Sequence, residues 1–222
     1  MLLEVCANSL ESAIAAQKGG AHRIELCQNL EVGGLTPSLE LLEQVKAQID
    51  IPVYVLIRSR AGDFCYSEQE LTTMETQIKQ VTALHFPGVV IGCLDENQQI
   101  NHEATTRLME AAGYIDVTFH KAFDEVPDAF EALDTLREMG IQRILTSGCA
   151  KTALEGLDTL AELVDEAEDE LIIMPGGSIR PENLDTIMES GASEYHSSGI
   201  ISGQSVTNQQ AVAQMITLLK GA

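Results

Sequence analysis

The sequence predicts one parallel (β/α)8 barrel of the TIM type, with residues 1–222 as a single domain. Two observations carry this expectation. Short β-branched runs alternate eight times with longer segments of helical period. Several of those segments close on Gly, take a polar step and enter the next run: Gln17-Lys18-Gly19-Gly20-Ala21-His22-Arg23-Ile24 and Arg137-Glu138-Met139-Gly140-Ile141-Gln142-Arg143-Ile144 share one grammar. A third observation excludes the main alternatives. No stretch is Pro/Ser-rich or low in complexity, so there is no seam between domains, and no long antiparallel section argues for an open sheet.

The expected strands are Leu2 to Ala7, Arg23 to Cys27, Val53 to Arg58, Val89 to Leu94, Asp116 to His120, Arg143 to Ser147, Leu171 to Met174 and Glu194 to Ser197. Helix starts are marked by Ser67 with Glu70, Thr152 with Glu155 and Thr207 with Gln210. Each pair fits a capping box, in which hydroxyl and carboxyl or amide satisfy the free N–H groups of the first turn. Thr36-Pro37 and Arg180-Pro181 put proline where an opening turn tolerates it. Helix ends are expected at Gly19-Gly20, Gly113, Gly140 and Gly191, because glycine accepts the left-handed conformation that stops a helix.

Composition narrows the function. With 45% hydrophobic residues, 4% aromatic and no Trp, the core must be aliphatic. Lys and Arg number 13 against 34 Asp and Glu, a formal charge of −21, which excludes a nucleic-acid partner that would need its phosphates neutralised. Much of the acidity, as in Asp165 to Glu170, belongs to a solvated helix surface. The start of the sequence lacks the basic and apolar regions of a signal peptide, and no apolar run is long enough to span a membrane. A cytoplasmic protein is therefore expected. Its five cysteines, an odd number without a CxxC, are expected as free thiols able to bind metal or do chemistry.

Alternation along the strands assigns the faces, since the outward set must be apolar to meet the helices. Leu3, Val5, Ile24, Leu26, Val53, Val55, Ile57, Val117, Phe119 and Tyr195 go outward. Glu4, Cys6, Glu25, Cys27, Arg58, Thr118, His120, Glu194 and His196 then point in. The sixth and seventh strands read as too uniformly apolar to assign. So many ionisable groups inside a barrel must pair with one another or face a pocket. Two readings follow. Either Arg58 bridges Glu4 and Glu25 in an internal ion-pair network, or Arg58 faces a pocket at the carboxyl ends of the strands, where barrels place their chemistry. The polar loop after Arg58, with Arg60 and Asp63, favours the pocket.

Cys6 and Cys27 are expected at equivalent depths on adjacent strands, about 5 Å apart, close enough for two thiolates to share a soft metal. Near-linear ligation, with any third donor from the upper rim, would suit Cu(I). Cys93 and Cys149 also read as small buried hydrophobes. Pro175-Gly176-Gly177-Ser178 and Ser197-Ser198-Gly199-Ile200 follow the last two strands, where backbone N–H groups can cradle phosphate, although glycine also serves any tight turn. An enzyme acting on a small anionic or phosphorylated metabolite is therefore a second reading. There His120 would be the general acid or base, with Glu4, Glu25 or Asp124 as carboxylate. Arg58, Arg60, Asp63, Ser147, Gly176, Gly177, His196, Ser197 and Ser198 would form the ligand site. No organic cofactor fingerprint is present. His22, His85 and His102 fall away from this face.

Several segments in register resemble the CutC copper homeostasis family over nearly the whole length. They are Leu2-Leu3-Glu4-Val5-Cys6, Arg23-Ile24-Glu25-Leu26-Cys27, Gly33-Gly34-Leu35-Thr36-Pro37-Ser38 and the loop from Arg58 to Ser67, followed by Val117 to Asp124, Leu145 to Gly148 and Glu194 to Ser198. Lys121 stands where the family usually has Arg, Ser59 and Ala61 depart from the family's Arg-rich loop, and the segment after Ser198 is short. The resemblance implies a barrel and a role attached to copper, with Cys6 and Cys27 as Cu(I) ligands. The expected partners are a copper ion or a small anion, with neither nucleic acid nor membrane. A homo-oligomer is expected too, although no sequence feature derives it.

Overall fold

In the computed structural model, which describes residues 1–221, all eight expected strands form, all parallel. In chain order they are β1 (Leu2–Ala7), β2 (Arg23–Leu26), β3 (Val53–Leu56), β4 (Gly88–Ile91), β5 (Asp116–Phe119), β6 (Arg143–Thr146), β7 (Ile172–Pro175) and β8 (Glu194–Ser197). The helices that follow them are α1 (Leu10–Gly19), α2 (Leu39–Gln48), α3 (Glu68–Ala83), α4 (His102–Ala112), α5 (Ala129–Glu138), α6 (Leu157–Ala167), the short α7 (Leu184–Ile187) and α8 (Gln209–Gly221). Ladders run from β7 through β1 and on to β8, while β7 and β8 pack side by side without one. The barrel is therefore nearly closed.

The alternation holds. Every residue assigned outward lies in the large core between strands and helices, where each buried aliphatic side chain contributes about 1.5–3 kcal/mol. A second, smaller cluster fills the barrel interior with Cys6, Cys27, Tyr54, Leu56 and Val90. On the two strands left unassigned, Ile144 and Ile173 join the outer core, which turns Arg143, Leu145 and Met174 inward.

Helix ends follow the local chemistry with two corrections. Ser67 and Glu70 form the full capping box of α3. Thr152 accepts from Glu155 N at 3.2 Å, but this closes a turn ahead of α6, whose cap is Gly156. At α8 the cap is Asn208, whose Oδ1 accepts from the N–H groups of Gln210 and Ala211. Thr207 instead donates to Ser198 O at 2.9 Å, so its hydroxyl ties the loop after β8 to the helix start. Gly20 ends α1 at φ 91°, a conformation costly for any side chain.

Five strands, β2 to β6, stop earlier than expected. Ladder bonding continues one residue past β2, β3 and β5, through Cys27 N to Ala7 O, Ile57 N to Val90 O and His120 N to Ile91 O, and the chain then turns away. Arg58 and His120 accordingly open loops at the carboxyl rim of the barrel.

Candidate metal centre and cavity

The lowest layer inside the barrel is an ion-pair network built on two arginines. Arg23 of β2 donates to both Glu4 and Glu194, and Arg143 of β6 takes the same Glu194 through Nε at 2.6 Å and Nη2 at 3.1 Å. Both guanidiniums lie over the Tyr54 ring, 4.8 and 5.6 Å from its centre, and the Tyr54 hydroxyl donates to Asp116. The ring fits because β4 carries Gly88, where a Cβ would come within 2.7 Å of it. Burial works against the charge of Glu194, yet Arg143 and Arg23 hold its carboxyl below the ordinary range. The internal network expected around Arg58 is thus centred on Arg23 and Arg143. Arg58 makes no ion pair among the described residues, and Glu4 and Glu194 are already paired with Arg23 and Arg143 deeper in the barrel.

Above this layer sits a compact donor cluster. His196 of β8 is bonded through Nδ1 to Glu4 Oε1 at 2.8 Å, and its Nε2 lies 3.4 Å from Glu25 Oε2. Donor atoms of Cys6, Glu25 and His196 all fall within 4.8 Å of one another. Burial opposes ionisation of Glu4, but Arg23 and the bond to His196 bring its carboxyl down to about 2. Burial likewise lowers His196, and the two glutamates outweigh it and raise the ring above its ordinary value. Glu25 is raised by burial, against the pull of His196. The Cys6 thiol is pushed well up by its contact with Cys27 and by burial.

The register corrects the expected depth of the two thiols. Cys6 lies beside Glu25, not beside Cys27, which stands two residues further along its strand direction. The sulfurs are nevertheless 3.6 Å apart. Cys6 opens on the cavity above, whereas Cys27 is wholly enclosed behind it. With metal–sulfur bonds of about 2.3 Å, as for zinc, straight ligation would need about 4.6 Å between sulfurs. Among the described residues, the donor atoms that cluster with Cys6 are those of Glu25 and His196, the latter on the adjacent strand β8.

The cavity over this floor has a volume of about 450 Å³, with Leu30, Leu56, Phe64 and Leu145 as its apolar wall. Arg58 lines it, with Nη1 donating to Val32 O at 2.8 Å and Gly34 O at 3.1 Å and Nη2 to Gly62 O at 2.7 Å, while its buried Nε has no hydrogen-bond partner among the described residues. It clamps two loops together. Arg58→Ala is expected to cost about 1–2 kcal/mol, since solvent in the cavity can hydrate the freed carbonyls, and denaturant unfolding reads this directly. A loss above about 3 kcal/mol would make it a scaffold residue on the scale of a buried ion pair.

The carboxylate-paired histidine is His196, and His120 has no acidic partner among the described residues. The His120 ring packs on Phe64 with centres 4.9 Å apart, and burial with nearby Arg58 lowers it to about 3. Asp124 binds the β6 loop through Thr146 Oγ1, the Ser147 N–H and hydroxyl, and Cys149 N, with Lys121 Nζ at 3.1 Å. Ser147 and Gly176 support the wall without lining it, while Gly177, Ser197 and Ser198 do line it. Arg60 and Asp63 lie outside the cavity and brace their own loop, Arg60 through Glu70, Asp63 and Cys65 O. His22 accepts from Leu3 N at 3.0 Å beneath the barrel.

The structure is an eight-stranded parallel barrel with a buried Cys, His and Glu cluster under an open cavity. The chain belongs to the CutC family, whose pattern it matches over residues 1–201. It is 46% identical over 198 residues to the copper homeostasis protein cutC homolog of Homo sapiens, covering 89% of this chain and 72% of that protein. The Mus musculus homolog of the same description is 46% identical over 198 residues, covering 73% of that protein. The crystal structure of the copper homeostasis protein CutC from Streptococcus agalactiae superposes with a TM-score of 0.84 at 34% identity, over 89% of this chain and 98% of that one. Thiamine phosphate pyrophosphorylase from Pyrococcus furiosus shares the fold alone, at TM-score 0.66 and 16% identity. Among the described residues no helix is long and apolar enough to cross a membrane.

Proposed function

We propose that the chain binds Cu(I) at the cavity floor through Cys6 Sγ, Cys27 Sγ and His196 Nε2, as the molecular basis of a role in copper homeostasis. The observation that carries this reading is the Glu4–His196 pair. A metal-binding histidine usually gives its second ring nitrogen to a carboxylate, which fixes the tautomer and aims the free nitrogen. Glu4 engages Nδ1 in this way and leaves Nε2 toward Cys6 and Glu25. Two thiolates and an imidazole are soft donors suited to Cu(I), while the Glu25 oxygen is a poor ligand for it and serves as a neighbouring charge. The copper role printed for the family's curated relatives supports the same metal. A cytoplasmic setting agrees with five free cysteines.

Because the Cys6 thiol is held protonated, binding must release protons, and apparent affinity is expected to rise with pH. Competition against a Cu(I) chelator under strict reduction tests the site. Cys6→Ser with Cys27→Ser is expected to weaken binding at least about a hundredfold, and Glu4→Gln about tenfold. A double cysteine variant that binds as tightly as the parent would remove this site.

A further inference from the structure

The cavity holds a donor that neither the copper reading nor the fold uses. His120 Nδ1 accepts from Ala122 N at 3.1 Å, so the neutral ring must carry its proton on Nε2. Nε2 is buried and has no hydrogen-bond partner among the described residues, although the residue lines the cavity. Gly92 faces the Cε1 and Nδ1 edge so closely that a Cβ there would lie 2.3 and 2.4 Å away, which leaves the Nε2 edge to the other side. A buried N–H without an acceptor is destabilising, and a ligand oxygen would relieve it.

A second observation lies in the same cavity. Arg180 is half-buried there and makes no ion pair among the described residues, in a chain with 34 acidic residues; Nη1 meets only Ile179 O and, at 3.4 Å, Ser197 Oγ. Beside it Gly177 and Ser178 take φ 107° and 59°, and their N–H groups make no hydrogen bond among the described residues. Consecutive N–H groups in such a turn form an anion-binding concavity. Lys121 Nζ reaches the same place, since a Cβ on Gly177 would lie 3.2 Å from it.

We infer that the cavity binds a small organic phosphate, its phosphoryl group against Arg180, Lys121 and the Gly177–Ser178 backbone, and a carbonyl, carboxyl or hydroxyl oxygen at its other end accepting from His120 Nε2. His120 then acts as a neutral hydrogen-bond donor. The site shares the cavity whose floor holds Cys6 and His196, so it is tested in chelator-treated, metal-free protein. Calorimetric titration with phosphoglycolate, glycerol 3-phosphate and inorganic phosphate gives the comparison.

At least one ester is expected to bind about tenfold more tightly than inorganic phosphate, the worth of one well-placed hydrogen bond. His120→Asn, whose side-chain oxygen can still accept from Ala122 N, should reduce the ester to the level of inorganic phosphate. Arg180→Gln should weaken both at least about tenfold. Nitrogen NMR of the ring should show the Nε2–H tautomer in the parent and a shift of that nitrogen on ester binding. The inference is overturned if none of the three probes binds, if the ester has no advantage over inorganic phosphate, or if binding survives both substitutions.

Discussion

Arg23→Met is expected to destabilise the barrel by about 3–5 kcal/mol, the loss typical when one member of a buried ion network is removed and its partners stay charged. Arg23 is buried and is the one group bonded to both Glu4 and Glu194. Methionine fills similar volume, so the loss reads charge and not packing. Glu194 keeps Arg143, while Glu4 is left with His196 alone. Adding Glu4→Gln should therefore recover part of the loss, giving a coupling energy of at least about 1 kcal/mol in a double-mutant cycle. The pH dependence has a definite sign. Glu4 is depressed to about 2, so its contribution is fully present above the ordinary carboxylate pKa and is lost as pH falls toward 2. Denaturant midpoints at neutral pH decide the main point; a loss below about 1 kcal/mol would mean that water reaches these carboxylates.

The second large effect is acid destabilisation that begins above the carboxylate range. His120 is buried and lowered from 6.5 to about 3, so the folded protein keeps the ring neutral where the unfolded chain protonates it. The contribution is present above pH 6.5 and declines as pH falls toward 3, by about 1.4 kcal/mol per pH unit and up to about 5 kcal/mol. His120→Asn should flatten the stability profile between pH 6 and about 4. An unchanged slope in that variant would show that the ring is hydrated and that another group titrates.

Much of this architecture is legible in residue order because a barrel strand must alternate apolar outward and interior inward. Glu4, Cys6, Glu25, Glu194 and His196 follow from parity alone, and they are the groups found packed together. Arg23 was equally legible, since it shares parity with Glu25, but its place at the strand start reads as a surface step after His22. Arg143 is masked by the apolar run that follows it. The pairing of Glu4 with His196 and not His120 depends on which strands adjoin. Closure brings β8 beside β1, whereas β5 lies across the barrel, a long-range fact that local pattern does not carry. The relative depth of Cys6 and Cys27 is likewise set by ladder register, to which alternation is blind beyond its parity. Arg60 has no such constraint, and its charge is drawn to Glu70 on its own helix start.

X-ray absorption on the Cu(I)-loaded, reduced protein tests the central claim most directly. The expected first shell contains two sulfur scatterers and one imidazole nitrogen, from Cys6, Cys27 and His196. Cys6→Ser with Cys27→Ser should lose the sulfur signal, and His196→Ala the imidazole signal. A shell of oxygen and nitrogen alone in the parent, or an unaltered spectrum in the double cysteine variant, would contradict a copper site at the floor of this barrel.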